Sequence, residues 1–389
     1  MPSGFGFPNF RDTILFSPSL GHFMRIAILG TRGIPANYGG FETFAEQLAT
    51  RLVSRGHEVT VYCRSHHVPK EMKEYRGVRL VVLPTLKHKY MDTVVHTYLS
   101  VMHAIFQRFD AVLICNAANA IFIPKLTWTG TPVAINVDGL ERKRKKWNKL
   151  GQLYYALGER ASVWFATEVV TDAKAIYDYY LAEYGVDSTM IAYGADVERK
   201  LDAEAIKEFG VEPEDYFLYV SRLEPENNAA MVIEAFRRTE TKRKLVIVGD
   251  APYAEDYKKH LRELAGDDPR IIFTGFVFGS GYKSLQQNAY VYIHATEVGG
   301  THPALIEAMG YGNCVLAYST VENIEVVGDA ALPYETAEEL SRLIGELDAD
   351  SSRVAEYRAK AQQRVEAEYS WDSITDRYEA LFEKLAAKK

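Results

Sequence analysis

Three stretches of this 389-residue sequence gather residue types suited to gripping an anion. The first is Gly30-Thr31-Arg32-Gly33-Ile34-Pro35-Ala36-Asn37-Tyr38-Gly39-Gly40, set between an apolar run and a helical pattern. Glycines let backbone approach a ligand closely, and unpaired N–H groups at a helix start attract phosphate. A loop that merely turns the chain is the other reading. The second stretch is Ser221-Arg222-Leu223-Glu224-Pro225-Glu226-Asn227-Asn228. Arg222 offers a forked, permanently charged donor set that fits a diphosphate, against the alternative of a surface ion pair with Glu224 or Glu226. The third runs from Glu297 through Gly299-Gly300-Thr301-His302-Pro303 to Glu307 and Gly310. Pro303 suits a first helical turn and Thr301 or His302 can cap it, so Gly299 and Gly300 leave bare amides at the positive end of a helix. Glu307, about one turn inside, can accept two hydroxyl hydrogen bonds from a ribose, against the alternative of a solvated helix glutamate.

Two further segments carry chemistry of a different kind. Asp138 follows a predicted strand and could orient an acceptor hydroxyl or take its proton, or could close an Asx turn before Gly139. Arg142-Lys143-Arg144-Lys145-Lys146-Trp147-Asn148-Lys149 places six positive charges in eight residues around a tryptophan. It suits an anionic lipid surface or a polyprenyl diphosphate, with Tyr154 and Tyr155 extending that surface, against the alternative of a plain solvated face. Nucleic acid is the less favoured partner, because no recognised nucleic-acid module accompanies the segment.

Other classes are excluded or weakened. A dinucleotide fold calls for G-x-G-x-x-G and an acidic residue at the end of the second strand, where this chain has Cys63-Arg64. Walker-type spacing is absent. Cys63, Cys115 and Cys314 are far apart and give neither a disulfide framework nor a zinc site, so metal catalysis would need oxygen ligands, and no metal is expected for the chemistry considered below. No stretch reads as a membrane span or a secretory signal, which predicts a cytoplasmic protein.

The elements that must position these loops alternate. Arg25 to Leu29 reads as a strand, Phe41, Phe44, Leu48 and Leu52 recur at helical spacing, and Glu58 to Tyr62 is the next strand. The alternation restarts after about residue 195, with strands at Tyr216 to Val220, Lys244 to Val248, Ile271 to Phe273, Val291 to Ile293 and Cys314 to Ala317. The predicted class is α/β, two Rossmann-like doubly wound parallel-sheet domains facing across a cleft at the carboxyl ends of their strands. The predicted divisions are an extension over 1–23, a first domain over 24–195, a second over 196–365 and a terminal helix over 366–389 that packs back on the first. Charge divides the same way: residues 1–195 hold 22 Lys and Arg against 16 Asp and Glu, and the remainder 23 against 36. A basic first half suits a polyanionic acceptor, an anionic membrane, or attraction between the halves.

Taken together the three loops resemble glycosyltransferase family 4, retaining nucleotide-sugar enzymes of the GT-B fold. The phrases Gly30 to Pro35, Val137-Asp138-Gly139-Leu140-Glu141 and Gly299 to Pro303 are most similar to bacterial rhamnosyltransferases of polysaccharide assembly. The resemblance implies that Gly39 and Gly40 approach the donor diphosphate, Arg222 clamps it and Glu307 holds the ribose. It favours dTDP-rhamnose as donor, with UDP- or GDP-sugars as alternatives and no cofactor. The acceptor is expected to be a glycan or polyprenyl-linked hydroxyl, reached at the inner face of the membrane. Two departures stand out. Asn227 replaces the family's diphosphate lysine, with Arg32, Arg142 or Lys146 as substitutes. Glu297 and Glu307 enclose nine residues instead of seven, which puts Gly299 where the first glutamate belongs. Sugar contact then falls to Gly300, Thr301 and His302. Asp138, Arg222 and His302 are the expected catalytic residues. The rivals are an epimerase or hydrolase of the same fold, and a non-catalytic scaffold.

Overall fold

A computed structural model describes residues 23–389 except 37–38, 89–90, 138, 140–141, 143–148, 253 and 299–300. The expected extension over 1–23 therefore lies outside the described residues, apart from Phe23.

In the first half the strands are β1 (Arg25–Leu29), β2 (Glu58–Arg64), β3 (Glu74–Tyr75), β4 (Val78–Leu83), β5 (Ala111–Cys115), β6 (Val133–Asn136), β7 (Glu168–Thr171) and β8 (Thr189–Met190). They form one sheet in the order β3-β4-β2-β1-β5-β6-β7-β8, parallel except where the short β3 runs against β4. Its helices are α1 (Gly40–Ser54), α2 (Met91–Ala104), α3 (Ile123–Thr127), α4 (Lys149–Phe165) and α5 (Lys174–Tyr184). The second half has β9 (Tyr216–Val220), β10 (Lys244–Val248), β11 (Ile271–Gly275), β12 (Val291–His294), β13 (Cys314–Tyr318) and β14 (Leu332–Tyr334), in the all-parallel order β11-β10-β9-β12-β13-β14. Between and after them lie α6 (Ala203–Ile206), α7 (Ala229–Arg237), α8 (Glu255–Ala265), α9 (Gly279–Asn288), α10 (Pro303–Gly310), α11 (Val321–Val327), α12 (Ala337–Ala349), α13 (Ser351–Arg364) and α14 (Trp371–Ala386).

Helices cover both faces of each sheet, so the central strands are near-continuous apolar runs with fully buried side chains. Under the first sheet Phe44, Leu48 and Leu52 of α1 form one layer, and Val101, Leu126, Ala161 and Ile176 from α2 to α5 form the other. Strand order reverses at β1 in the first sheet and at β9 in the second. At such a point the loops leaving neighbouring strands diverge to opposite faces and open a crevice. The loops after β1, β9 and β12 leave from these crevices, and they are the three stretches whose chemistry stood out in the sequence.

The chain crosses between the halves twice, side by side. Ala195 and Ser370 form a parallel bridge, and the Ala195 N–H donates to the Tyr369 carbonyl at 2.8 Å. A single π turn, Val365–Tyr369, separates α13 from α14 at this crossing. Gly194 lies so close to Trp371 that a Cβ there would stand 2.7 Å from the indole ring. Beyond the crossing, α14 packs into the first half. Its Tyr378 ring meets Phe44 at 5.2 Å, the Tyr378 hydroxyl accepts from Asn136 Nδ2 at 3.0 Å, and Glu379 pairs with His57 at 2.8 Å. Phe382, fully buried in the same cluster, makes α14 part of the first domain's core. Phe382→Ala is expected to cost about 3–5 kcal/mol of that domain's stability in urea unfolding. A loss below about 1 kcal/mol, the range of surface substitutions, would show that α14 is only loosely attached.

Candidate active site

A cavity of ≈ 300 Å³ lies between the carboxyl edges of the two sheets. From the first half Gly39, Gly40 and Thr43 line it; from the second, Arg222, Asn227, Tyr282, His302 and Glu307 do so. The loops after β1, β9 and β12 thus share one cavity, as the motif reading requires.

Two helix starts meet there. Gly39, in extended backbone at φ −166°, precedes α1, and its carbonyl accepts from the Glu42 and Thr43 N–H groups. Ahead of them the amides of Gly40 and Phe41 have no carbonyl one turn back within the helix. Opposite stands the start of α10 with Pro303 in its first turn. A Cβ at Gly40 would lie 2.9 Å from Pro303 Cγ, so only glycine lets the two starts close this far.

Arg222 follows β9 on a loop fixed by its own residues. Asn227 Nδ2 donates to the Arg222 carbonyl at 2.7 Å, and the Asn227 carbonyl accepts from the Tyr219 hydroxyl at 2.6 Å. Asn228, left-handed at φ 56°, donates through Nδ2 to the Ala295 carbonyl at 3.0 Å and ties this loop to the one after β12. Asn227 is therefore a buried staple as well as a lining residue. The Arg222 guanidinium stands 3.6 Å from Glu224 Oε2, long for an ion pair, and leaves the arginine on the cavity wall. Gly249 at φ +133° allows the loop after β10 to touch this one, since a Cβ there would overlap the Ser221 carbonyl.

Glu307 sits half-buried on the cavity side of α10. The Tyr282 hydroxyl donates to its Oε2 at 2.6 Å and itself accepts from Gln286 Nε2 at 3.0 Å. Burial pushes the Glu307 carboxyl up to about 7, opposed by the Tyr282 hydrogen bond that favours the ionised form.

His302 occupies the position before α10 but makes no capping hydrogen bond. Its Nδ1 lies 3.2 Å from Asn323 Oδ1 and 3.2 Å from Nε2 of the buried His294. Asn323 is oriented by donating to the Thr296 and Tyr318 carbonyls at 2.9 and 3.0 Å, so its oxygen must accept and His302 Nδ1 must carry the proton. Burial holds His294 well below the ordinary imidazole pKa, hence neutral.

Other expected residues are placed elsewhere. Thr301 caps nothing; its hydroxyl donates across the cleft to the Asp172 carbonyl. Glu297 is exposed and absent from the cavity wall, its N–H bonded to the Glu226 carbonyl at 3.0 Å. Arg142 turns away from the cleft, with Nε 3.3 Å from the buried Glu159 and its guanidinium over the Tyr179 ring, which makes it a structural cation. Tyr154 also turns inward, donating to the Ala118 carbonyl at 2.8 Å. Asp138, Lys146, Trp147, Gly299 and Gly300 lie outside the described residues. Tyr282, His294 and Asn323 were not singled out in the sequence. Neither were Phe276 and Phe278, exposed rings stacked 5.5 Å apart at the cavity lip. Among the described residues no group of three or more His, Cys, Asp or Glu could hold a metal, and no helix is long and apolar enough to cross a membrane.

Comparison with known proteins bears on this geometry. Residues 202–364 match the family described as glycosyl transferases group 1, and residues 23–196 match a domain of unknown function, DUF1972. Among solved structures, sucrose-phosphate synthase from Thermosynechococcus elongatus superimposes with a TM-score of 0.77 at 18% identity, covering 94% of this chain and 100% of that one. Anabaena Alr3699/HepE in complex with UDP and glucose gives 0.77 at 18% identity, covering 93% and 100%. The fold is GT-B.

In sequence the GT-B chain is 26% identical over 226 residues to lipopolysaccharide 1,2-N-acetylglucosaminetransferase of Salmonella typhimurium, 53% of this chain and 58% of that protein. It is 27% identical over 164 residues to alpha-monoglucosyldiacylglycerol synthase of Streptococcus pneumoniae, 39% of this chain and 36% of that protein. The chain thus spans less than two thirds of either relative's length. These names carry N-acetylglucosamine and glucose, not the rhamnose that the motif phrases favoured.

The Tyr282–Glu307 pair gives a test that needs no ligand. With glutamate carboxyls labelled, NMR titration is expected to show one carboxyl with a midpoint near 7. Tyr282→Phe removes a bond that favours the charged form and so moves the midpoint higher; a downward move would contradict the geometry.

Proposed function

We propose that the chain is a nucleotide-sugar-dependent glycosyltransferase that retains anomeric configuration, with residues 196–365 holding the donor and 24–195 the acceptor. The observation that carries this reading is the shared cavity: Gly39, Gly40, Arg222 and Glu307, drawn from loops far apart in sequence, open onto one space. Two helix starts and a guanidinium suit a diphosphate, and a carboxylate one turn inside α10 suits the two hydroxyls of a ribose.

In the reaction the bond from the anomeric carbon to the diphosphate breaks as the sugar becomes oxocarbenium-like. Fixed amides and Arg222 stabilise the negative charge that develops on the leaving oxygen. The acceptor oxygen bonds to the anomeric carbon on the same face, and its proton passes to the departing phosphate oxygen. His302, held by Asn323 and His294, contacts the sugar beside that bond, and Asp138 orients the acceptor hydroxyl. Closure of the two domains excludes water that would otherwise hydrolyse the donor.

The motif phrases favour dTDP-rhamnose as donor and membership of family 4. The names of the relatives favour a UDP-linked glucose or N-acetylglucosamine. The acceptor is a glycan or polyprenyl-linked hydroxyl met at the inner face of the membrane. Calorimetry of the purified protein against dTDP-rhamnose, UDP-glucose, UDP-N-acetylglucosamine and GDP-sugars decides the donor. The expected result is one selective ligand; binding of none would overturn the enzymatic reading in favour of a scaffold. Arg222→Ala is expected to weaken that ligand roughly 10- to 100-fold, the worth of about 1.5–3 kcal/mol for a hydrogen bond to a charged group. Protonation of Glu307 below about pH 7 removes an acceptor, so wild-type affinity falls as pH drops through that value, whereas Glu307→Gln binds weakly with no such step.

A further inference from the structure

Helix α4 turns the wrong side outward. Its residues 149, 153, 157, 160 and 164 fall on one face, and they are Lys149, Leu153, Leu157, Arg160 and Trp164. Leu153, Leu157 and Trp164 are 56%, 51% and 70% exposed. The helix cannot roll to hide them. A Cβ at Gly158 would stand 2.5 Å from the Ala117 carbonyl, so the opposite face is seated on backbone, and the Tyr154 hydrogen bond to Ala118 fixes the rotation. The neighbouring elements also expose large rings: α3 packs against α4, and Trp128, just past its end, is 83% exposed; α2 packs against α3, and Phe106, just past its end, is 77% exposed. Isolated exposed apolar residues are ordinary, but three on one stripe with two large aromatics on neighbouring elements are not.

Charge selects the occupant. Among the described residues from Thr93 to Phe165 there are five Lys and Arg, namely Arg108, Lys125, Arg142, Lys149 and Arg160, against two acids. Both acids are engaged: Glu159 is buried against Arg142, and Asp110 pairs with Lys389 at 3.3 Å. A second copy of the chain would set this cationic face against itself. A nucleic acid would leave the leucines in water. A bilayer with anionic headgroups satisfies both features, since Leu and Trp enter the boundary of the acyl region while Lys149 and Arg160 extend along it to phosphate.

The geometry points to the outer face of α4, with Trp128 and Phe106 beside it, as the surface that docks the protein on an anionic membrane. This deepens the placement of the enzyme at a membrane in the proposed function but does not depend on its chemistry. It also moves the surface away from Arg142 and Tyr154, both of which turn inward.

Co-sedimentation of the full chain with phosphatidylcholine vesicles, with and without phosphatidylglycerol, tests it. Wild type is expected to sediment only with the anionic vesicles. Leu153→Glu/Leu157→Glu, on the solvent face, is expected to bind them roughly tenfold or more weakly while keeping its melting temperature and its nucleotide-sugar affinity. Wild type that fails to bind anionic vesicles, or a double variant that binds them equally well, overturns the proposal. So does light scattering that shows a wild-type dimer which the double variant dissolves. Loss of vesicle binding in the variant with nucleotide-sugar affinity absent from both proteins leaves the docking surface standing and removes only the catalytic reading.

Discussion

Two positive helix ends face each other across the cleft, and much of the structure follows from that. An α-helix carries roughly half a positive charge at its start, so the approach of α1 to α10 is electrostatically unfavourable until an anion lies between them. Gly40 permits the approach sterically, and Pro303 fixes the other wall. Glu42, in the first turn of α1, is the built-in partial compensation. Its Oε1 accepts from the Arg32 N–H at 2.9 Å, while burial pushes its carboxyl above the ordinary range and weakens the charge it supplies. A diphosphate entering this space gains from both ends at once and relieves the repulsion between them. In the proposed function, donor binding therefore favours closure of the two domains, which would shield a water-sensitive donor.

The contacts between the halves suit reversible closure. Thr301 reaches the Asp172 carbonyl, the Lys174 N–H donates to Glu325 at 2.7 Å, and Arg51 pairs with Asp196 at 2.9 Å. Polar contacts of this kind can exchange with water at modest cost, while the apolar packing that joins the halves is one continuous cluster that includes Tyr193, Met309, Val365 and Trp371. The permanent connection sits at the paired crossing, where Ala195 and Ser370 run together and α14 anchors one strand of the crossing in the first domain's core. Rotation there leaves both sheets intact.

Reading the sequence alone recovered the parts of the fold with strong local signals. Fully buried parallel strands such as β1, β9, β10 and β12 are apolar runs with no polar alternation to confuse them, and glycine-bearing loops mark the strand ends. The short β3, β8 and β14 carry no such run and were not read. Of the cavity's lining, Gly39, Gly40, Arg222 and Glu307 were legible because their residue types are unusual at strand-to-helix junctions. Tyr282, His294 and Asn323 were not. His294 ends an apolar strand and looks like core, and Asn323 acts through two carbonyls that only the fold brings within reach. Arg142 and Glu297 show the opposite failure. Their charge types suggested ligand contact, but Glu159 lies on a separate helix that captures the arginine, and a loop turn leaves the glutamate in solvent.

Asn227 shows how, under the proposed function, a departure from the resembled motif can be absorbed. A lysine at this position would add a charge against the diphosphate. The site of this side chain is only 4% exposed, packed under the Arg222 loop, where an ammonium would lose its hydration. Asparagine instead donates to the Arg222 carbonyl, and the backbone beside it accepts from Tyr219. The lost charge is offset by geometry, because two helix starts contribute about one positive charge between them and Arg222 contributes another. In the proposed reaction that guanidinium, held on a stapled loop, needs less reorganisation as charge moves onto the leaving phosphate. Preorganised donors of this kind stabilise a transition state more effectively than an additional mobile cation.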